Sequence, residues 1–410
     1  MIQHRGLLML ALLLAGAQTT TTSASVITDW DELGVKTVQP IGVPPPINPG
    51  LFFRAMAMMH VPMFNAVNSI HPRYQPYKFQ NEASPDTSPE AAAASAAANV
   101  LAGVAPKTDT REMLANYLAT FPDSEAKVRG VKLGEEVAAN MLELRADDGS
   151  NTPNAYRPVT QPGVYVPTAV TLGWESITMT PFAMTSPSQF RPGPPVDLKS
   201  EQWAKDYNEI KELGEKNSTK RTAQQTEDAR FWLTTGPLST HPLERQIVIG
   251  KSMSVLDSAR FMAMVSVVEA DAIQAVYEAK YYYNFWRPIT AIRNGDIDGN
   301  PETERMSTWE PIDVTPLHPE YPCAHCIVST AVATVIEAMI GPTEIPEVAI
   351  TMPSAPGVTH RFTNLNAFTD EVANARIYAG FHYRHSTVVG RNMGKEIGSY
   401  TVKTIMQPLN

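Results

Sequence analysis

The sequence predicts an all-α protein, a helical bundle with long irregular loops. Three observations carry this expectation. Apolar residues recur at spacings of three and four in segment after segment, while period-two alternation is rare. The prolines also cluster: nine of them, at 153, 158, 162, 167, 181, 187, 192, 194 and 195, fall in the one segment from about 151 to 198 that shows no helical period. A loop of that length in a compact protein is either a surface wrap or a functional lid.

Taken in order, the first 25 residues, MIQHRGLLMLALLLAGAQTTTTSAS, have a polar head with His4 and Arg5, an apolar run and small residues near Ala24. The apolar run is well short of the ~20 residues a membrane span needs, so it reads as a secretory signal. The mature chain, 26–410, is expected to be one large helical domain, exported to a periplasm or outside the cell. In LFFRAMAMMHVPMFNAVNSI, Phe53, Met56, Met59, Met63 and Val67 draw one helical face. Ser88-Pro89-Glu90 opens an alanine-rich helix, with Ser88 as N-cap and Pro89 at the first helical position.

Further helices are expected over 110–121, 123–146, 199–216 and 222–234. From Leu256 to about Asn284, Phe261, Val265, Val268, Ala272, Ile273, Val276 and Ala279 trace a long helix, which Pro288 should stop near Arg287. Two more follow, one over 325–340 ended by Gly341-Pro342, and one from about 369 into the C-terminal tail. NGDIDGN at 294–300 has a glycine too early for a calcium loop and reads as a turn.

The 33 Lys and Arg against 42 Asp and Glu leave a formal charge of −9. No basic field exists to hold nucleic acid or an anionic membrane surface, so any positive site must be local. Three segments supply one. AKYYYNFWRP carries Lys280 and Arg287, seven residues apart, or about two helical turns if the helix extends that far. YPCAHC carries His325 where a proline-rich approach becomes an apolar helix. A helix start there offers unpaired N–H groups, and the small residues Cys323 and Ala324 allow an anion to come close. ARIYAGFHYRHS carries Arg376 and His382, which at about 100° per residue would stand about 240° apart on a straight helix, unless Gly380 bends the chain.

Singly, each segment has a bland reading: snorkelling cations at a helix end, or a histidine held by packing. Together Lys280, Arg287, His325, Arg376 and His382 suit a tetrahedral oxyanion, with cations on its oxygens, one imidazole on its central atom and another passing protons. Here the sequence resembles the superfamily uniting vanadium-dependent haloperoxidases, type 2 phosphatidic acid phosphatases and bacterial acid phosphatases, and within it the bacterial haloperoxidase-like branch. Its K-x6-R-P motif appears as Lys280 to Arg287-Pro288. Its P-S-G-H motif appears as Pro322-Cys323-Ala324-His325, and its S-R-x5-H motif as Ala375-Arg376 to His382.

The resemblance implies a helical bundle with the oxyanion site within 256–400. It makes His382 the vanadate ligand of a haloperoxidase, or the phosphate-accepting nucleophile of a phosphatase, and His325 the acid–base partner. Lys280, Arg287 and Arg376 would bind the oxyanion, together with the 323–324 positions, and Lys280 would also polarise peroxide. The implied cofactor is vanadate for halide oxidation by hydrogen peroxide, and none for a secreted phosphatase. A catalytically degenerate oxyanion-binding homologue is the third reading. Substrates would be small molecules, peroxide and halide or a phosphoester, and a homo-oligomer is left open.

Cys323 stands where the family has serine. A thiol is a weak donor and is oxidised by peroxide or hypohalite, which favours the phosphatase unless pairing with Cys326 protects it.

Overall fold

The computed structural model describes residues 25–39, 48–234, 236–341 and 344–409. The signal segment up to residue 24 lies outside them. The helices are α1 (Ser25–Val38), α2 (Pro49–Ile70), α3 (Pro89–Val104), α4 (Thr110–Leu118), α5 (Glu125–Leu144), α6 (Glu201–Leu213), α7 (Ala223–Phe231), α8 (His241–Gly250), α9 (Val255–Tyr283), α10 (Pro288–Arg293), α11 (Ala324–Ile340), α12 (Leu365–Tyr378) and α13 (Arg384–Thr404). One antiparallel hairpin, β1 (Glu344–Thr351) with β2 (Thr359–Asn364), lies between α11 and α12. Among the described residues no helix is long and apolar enough to cross a membrane.

Helix α9 is the axis of the molecule. It is buried on nearly every side from Val255 to Lys280 rather than on a single stripe, as a helix surrounded by others must be. Helix α2 packs on one flank, itself backed by α3 and α5, and α11 packs on another, backed by α12 and α13. One hydrophobic cluster runs through all of them, from Val26 to Met406. The expected caps hold locally: Ser88 Oγ accepts the Ala91 N–H at 3.2 Å, and Pro89 opens α3.

The irregular 151–198 segment is a strap pinned to α9 and its neighbours. Asp271, buried in mid-α9, accepts the N–H groups of Phe182, Ala183 and Met184 at 2.6, 2.8 and 2.8 Å. Tyr165 N–H donates to the Asn284 carbonyl, and Leu172 N–H to the Leu317 carbonyl, at 2.8 and 2.9 Å. Gly173 has φ +77°, and a Cβ there would come within 2.4 Å of the Tyr277 ring. Only glycine lets the strap lie this close to α9.

One expectation is corrected. The helix expected from 369 into the tail is two helices, broken at Gly380. Helix α9 ends at Tyr283, close to the expected end at about Asn284, which caps it with φ 51°; Arg287 lies beyond that cap. Helices α1, α8 and α10 and the hairpin were not anticipated. The 294–300 stretch is a turn, as expected, with Asp298 accepting from Trp203 Nε1 at 2.8 Å.

Candidate active site

The C-terminal end of α9, the start of α11 and the α12–α13 junction converge. Gly380 makes the junction possible. It sits in the left-handed region at φ +79°, directly after α12, and its N–H donates to the Ile377 carbonyl while Phe381 N–H reaches back to Arg376. This two-bond closure reverses the chain at a helix end. Arg376 and His382, which would diverge on a straight helix, are thereby brought to one place.

Three cations are buried here. Lys280 Nζ donates to the carbonyls of Pro319, Glu320 and Pro322 at 3.0, 2.7 and 2.5 Å. Arg287 Nε donates to the His318 carbonyl at 2.9 Å, Nη1 to the Phe381 carbonyl at 2.9 Å, and Nη2 to His318 Nδ1 at 3.0 Å. Arg376 donates from Nη1 to the Trp232 carbonyl, and its buried Nε has no partner. Burial first, then the neighbouring Arg287, holds Lys280 well below its ordinary range and brings Arg376 down to about 9. Cations buried together are costly without a counter-charge, and an oxyanion would remove that cost.

Glu320 is the carboxylate closest in role. Its Oε1 accepts from His382 Nδ1 at 2.7 Å and from Tyr383 N–H at 3.2 Å. Burial pushes Glu320 up to about 7, against the pull of Lys280 and Arg287. With its proton on Nδ1, His382 presents the Nε2 lone pair, 3.4 Å from Arg287 Nη1. His325 is fixed the other way round: Nε2–H donates to the Thr234 carbonyl at 3.2 Å, leaving Nδ1 as its basic nitrogen. Burial, with Arg376 for His325 and Arg287 for His382, keeps both imidazoles well below the usual histidine range, hence neutral.

Ala324 opens α11 and lines the cavity beside His325, where helix-start N–H groups lack intrahelical acceptors. Cys323 does not play the expected donor part. It forms a disulfide with Cys326, so it has no S–H, and its N–H already donates to the Ser386 carbonyl at 3.2 Å. The pair is packed with Ala373 and faces α13, where a Cβ on Gly390 would lie 3.1 Å from Cys326 Cβ.

His325, Arg376 and His382 open onto a cavity of about 390 Å³, walled by apolar and aromatic groups including Leu172, Leu233, Ile273, Tyr277 and Phe381. Sequence reasoning missed Glu320 and His318. His318 accepts from Arg287 and meets the Tyr277 ring edge-on, with centroids 5.2 Å apart. Both lie in TPLHPEYP, the irregular approach to α11, where no periodicity marks a residue as inward-facing. The five matched residues do meet, although Lys280 faces backbone carbonyls rather than the cavity.

Comparison with known proteins agrees with this fold. Residues 260–410 match the family described as VCPO second helical-bundle domain. The crystal structure of the first bacterial vanadium-dependent iodoperoxidase is similar, with TM-score 0.80 and 21% identity over 93% of this chain and 98% of that one. Apo- and holo-type structures of a bacterial vanadium-dependent chloroperoxidase give TM-scores of 0.70 at 16% identity, over 90% of this chain and 96% and 94% of theirs. No curated protein matches the sequence significantly. The C-terminal part of the chain, 260–410, thus carries a VCPO second helical-bundle domain, and nearly the whole chain shares the helical fold of these bacterial vanadium-dependent haloperoxidases.

Proposed function

We propose that the protein is a vanadate-dependent haloperoxidase that oxidises halide with hydrogen peroxide. The observation that carries this reading is His382: its Nδ1–H is committed to Glu320 and its Nε2 faces Arg287, so a buried neutral imidazole offers a ligand nitrogen among three cations. The donor set fits vanadate, with His382 Nε2 for the central atom and Arg287, Arg376 and the start of α11 for its oxygens. Bound vanadate would supply Lewis-acid activation of peroxide.

The chain's own residues do the rest. His325 Nδ1 takes or returns a proton at the cavity wall. Arg287 and Arg376 hold negative charge where water is excluded, which strengthens each contact. Lys280 ties the 319–322 backbone under the site, and so positions Glu320. The thiol that favoured a phosphatase is locked in a disulfide, which also removes the group most sensitive to oxidant. The same disulfide supports export to an oxidising compartment.

The test is peroxide-dependent oxidation of iodide and bromide by the orthovanadate-loaded protein, alongside p-nitrophenyl phosphate hydrolysis by the vanadate-free protein. Halide oxidation without phosphatase activity is expected, falling by about 10²–10³-fold or more in His382→Ala. Phosphate hydrolysis without halide oxidation, or full activity in His382→Ala, would sink the proposal.

A further inference from the structure

Away from the cavity, α1, α2, α8 and α9 bring Asp31, His60, His241, Glu244 and Glu269 together, all with fully buried side chains. His241 Nδ1 pairs with Asp31 Oδ1 at 2.5 Å, and its Nε2 with Glu269 Oε2 at 3.0 Å. His60 Nε2 also reaches Asp31 Oδ1, at 2.8 Å, and Arg245 Nη1 donates to Asp31 Oδ2 at 2.5 Å. Thr240 Oγ1 donates to Glu269 Oε1.

Glu244 is the anomaly. It is buried beside these groups, yet neither carboxylate oxygen has a hydrogen-bond partner. A buried carboxylate with no donor is among the most expensive arrangements a core can hold. The charges point the same way. With Asp31, Glu244 and Glu269 all ionised, Arg245 and, if His241 is protonated, one imidazolium leave one negative charge uncompensated, which a bound cation would balance.

We propose that His241, Glu244 and Glu269 bind a first-row divalent metal ion of the zinc or manganese class. Their ligand atoms lie within 4.8 Å of one another, which bonds of about 2.0–2.2 Å to one ion close with a small inward shift. His241 Nε2 gives up its proton to solvent and binds the ion, while Nδ1–H stays on Asp31. Asp31, in turn held by Arg245 and His60, is the outer carboxylate that orients a metal-bound histidine, and Thr240 does the same for Glu269. The ion's two positive charges with Arg245 then balance Asp31, Glu244 and Glu269. Its role is structural, clamping α1 to α8 and α9. Ser239 and Thr240 also line a narrow cavity with His325, so the clamp lies directly behind the acid–base wall of the anion site.

Elemental analysis by mass spectrometry of the full chain, after exposure to ZnCl₂ or MnCl₂ and exhaustive buffer exchange, tests this. About one equivalent of metal per chain is expected. Occupancy should fall about tenfold or more in Glu244→Gln and in Glu269→Gln, but not in His382→Ala. Chelator treatment of the wild type should lower Tm by roughly 5 °C or more, a shift readable even if a variant fails to fold. No retained zinc or manganese, occupancy undiminished in Glu244→Gln, or a wild-type Tm indifferent to chelator would each overturn the proposal.

Discussion

Glu320 decides which nitrogen of His382 is available, and it does so as a titratable group. Its folded value near 7 lies above its ordinary 4.5, because burial disfavours the charged form. A raised carboxyl value means the folded state holds its proton longer. Its stabilising effect is complete below about 4.5 and is lost as pH rises through 7, with a slope of at most about 1.4 kcal/mol per pH unit. Glu320→Gln keeps an oxygen to accept from Nδ1–H but cannot titrate. Thermal melts from pH 5 to 8 should therefore show a smaller loss of stability with rising pH in Glu320→Gln than in the wild type; parallel curves would refute the assignment. The five matched residues were legible because charge and imidazole stand out on apolar helices. Glu320 was not, since a carboxylate in an irregular stretch has no visible partner until the fold supplies His382.

The elements were legible wherever a cap or a long apolar period marked them, as for α3 behind Ser88 and for α9. Breaks inside helical patterns were not. Gly380 was the only hint that the last helix is two. Gly380→Ala tests how much the site depends on its break. A Cβ there would meet the Gly214 carbonyl oxygen at 2.5 Å and would pay for a left-handed backbone as well. The expected loss is on the order of 1–3 kcal/mol, visible as a lower denaturation midpoint, with vanadate affinity falling alongside because Arg376 and His382 lose their shared register. Unchanged affinity at reduced stability would uncouple the turn from the site.

Across the whole molecule the site is assembled from distant stretches. Trp232 and Thr234 lend carbonyls to Arg376 and His325, and Leu172 from the strap walls the cavity. The segment that carries the family match, 260–410, even starts inside α9. A fragment from 255 onward would expose the α9 face that α2 covers. It should show no cooperative thermal transition and no vanadate binding; a fragment that does both would prove the C-terminal bundle autonomous. The sequence could announce an all-α chain from its periods, but long-range partners such as Asp271 with the 182–184 backbone leave no trace in local pattern.

With both cysteines of the chain joined to each other, the native protein has no free thiol. A single cysteine introduced on the exposed part of the strap, such as Val170→Cys, would then be the only reactive sulfur available to a maleimide dye or a nitroxide label. The disulfide thus gives the experimenter a chemically silent background, against which the distance between strap and cavity can be followed as anion is added.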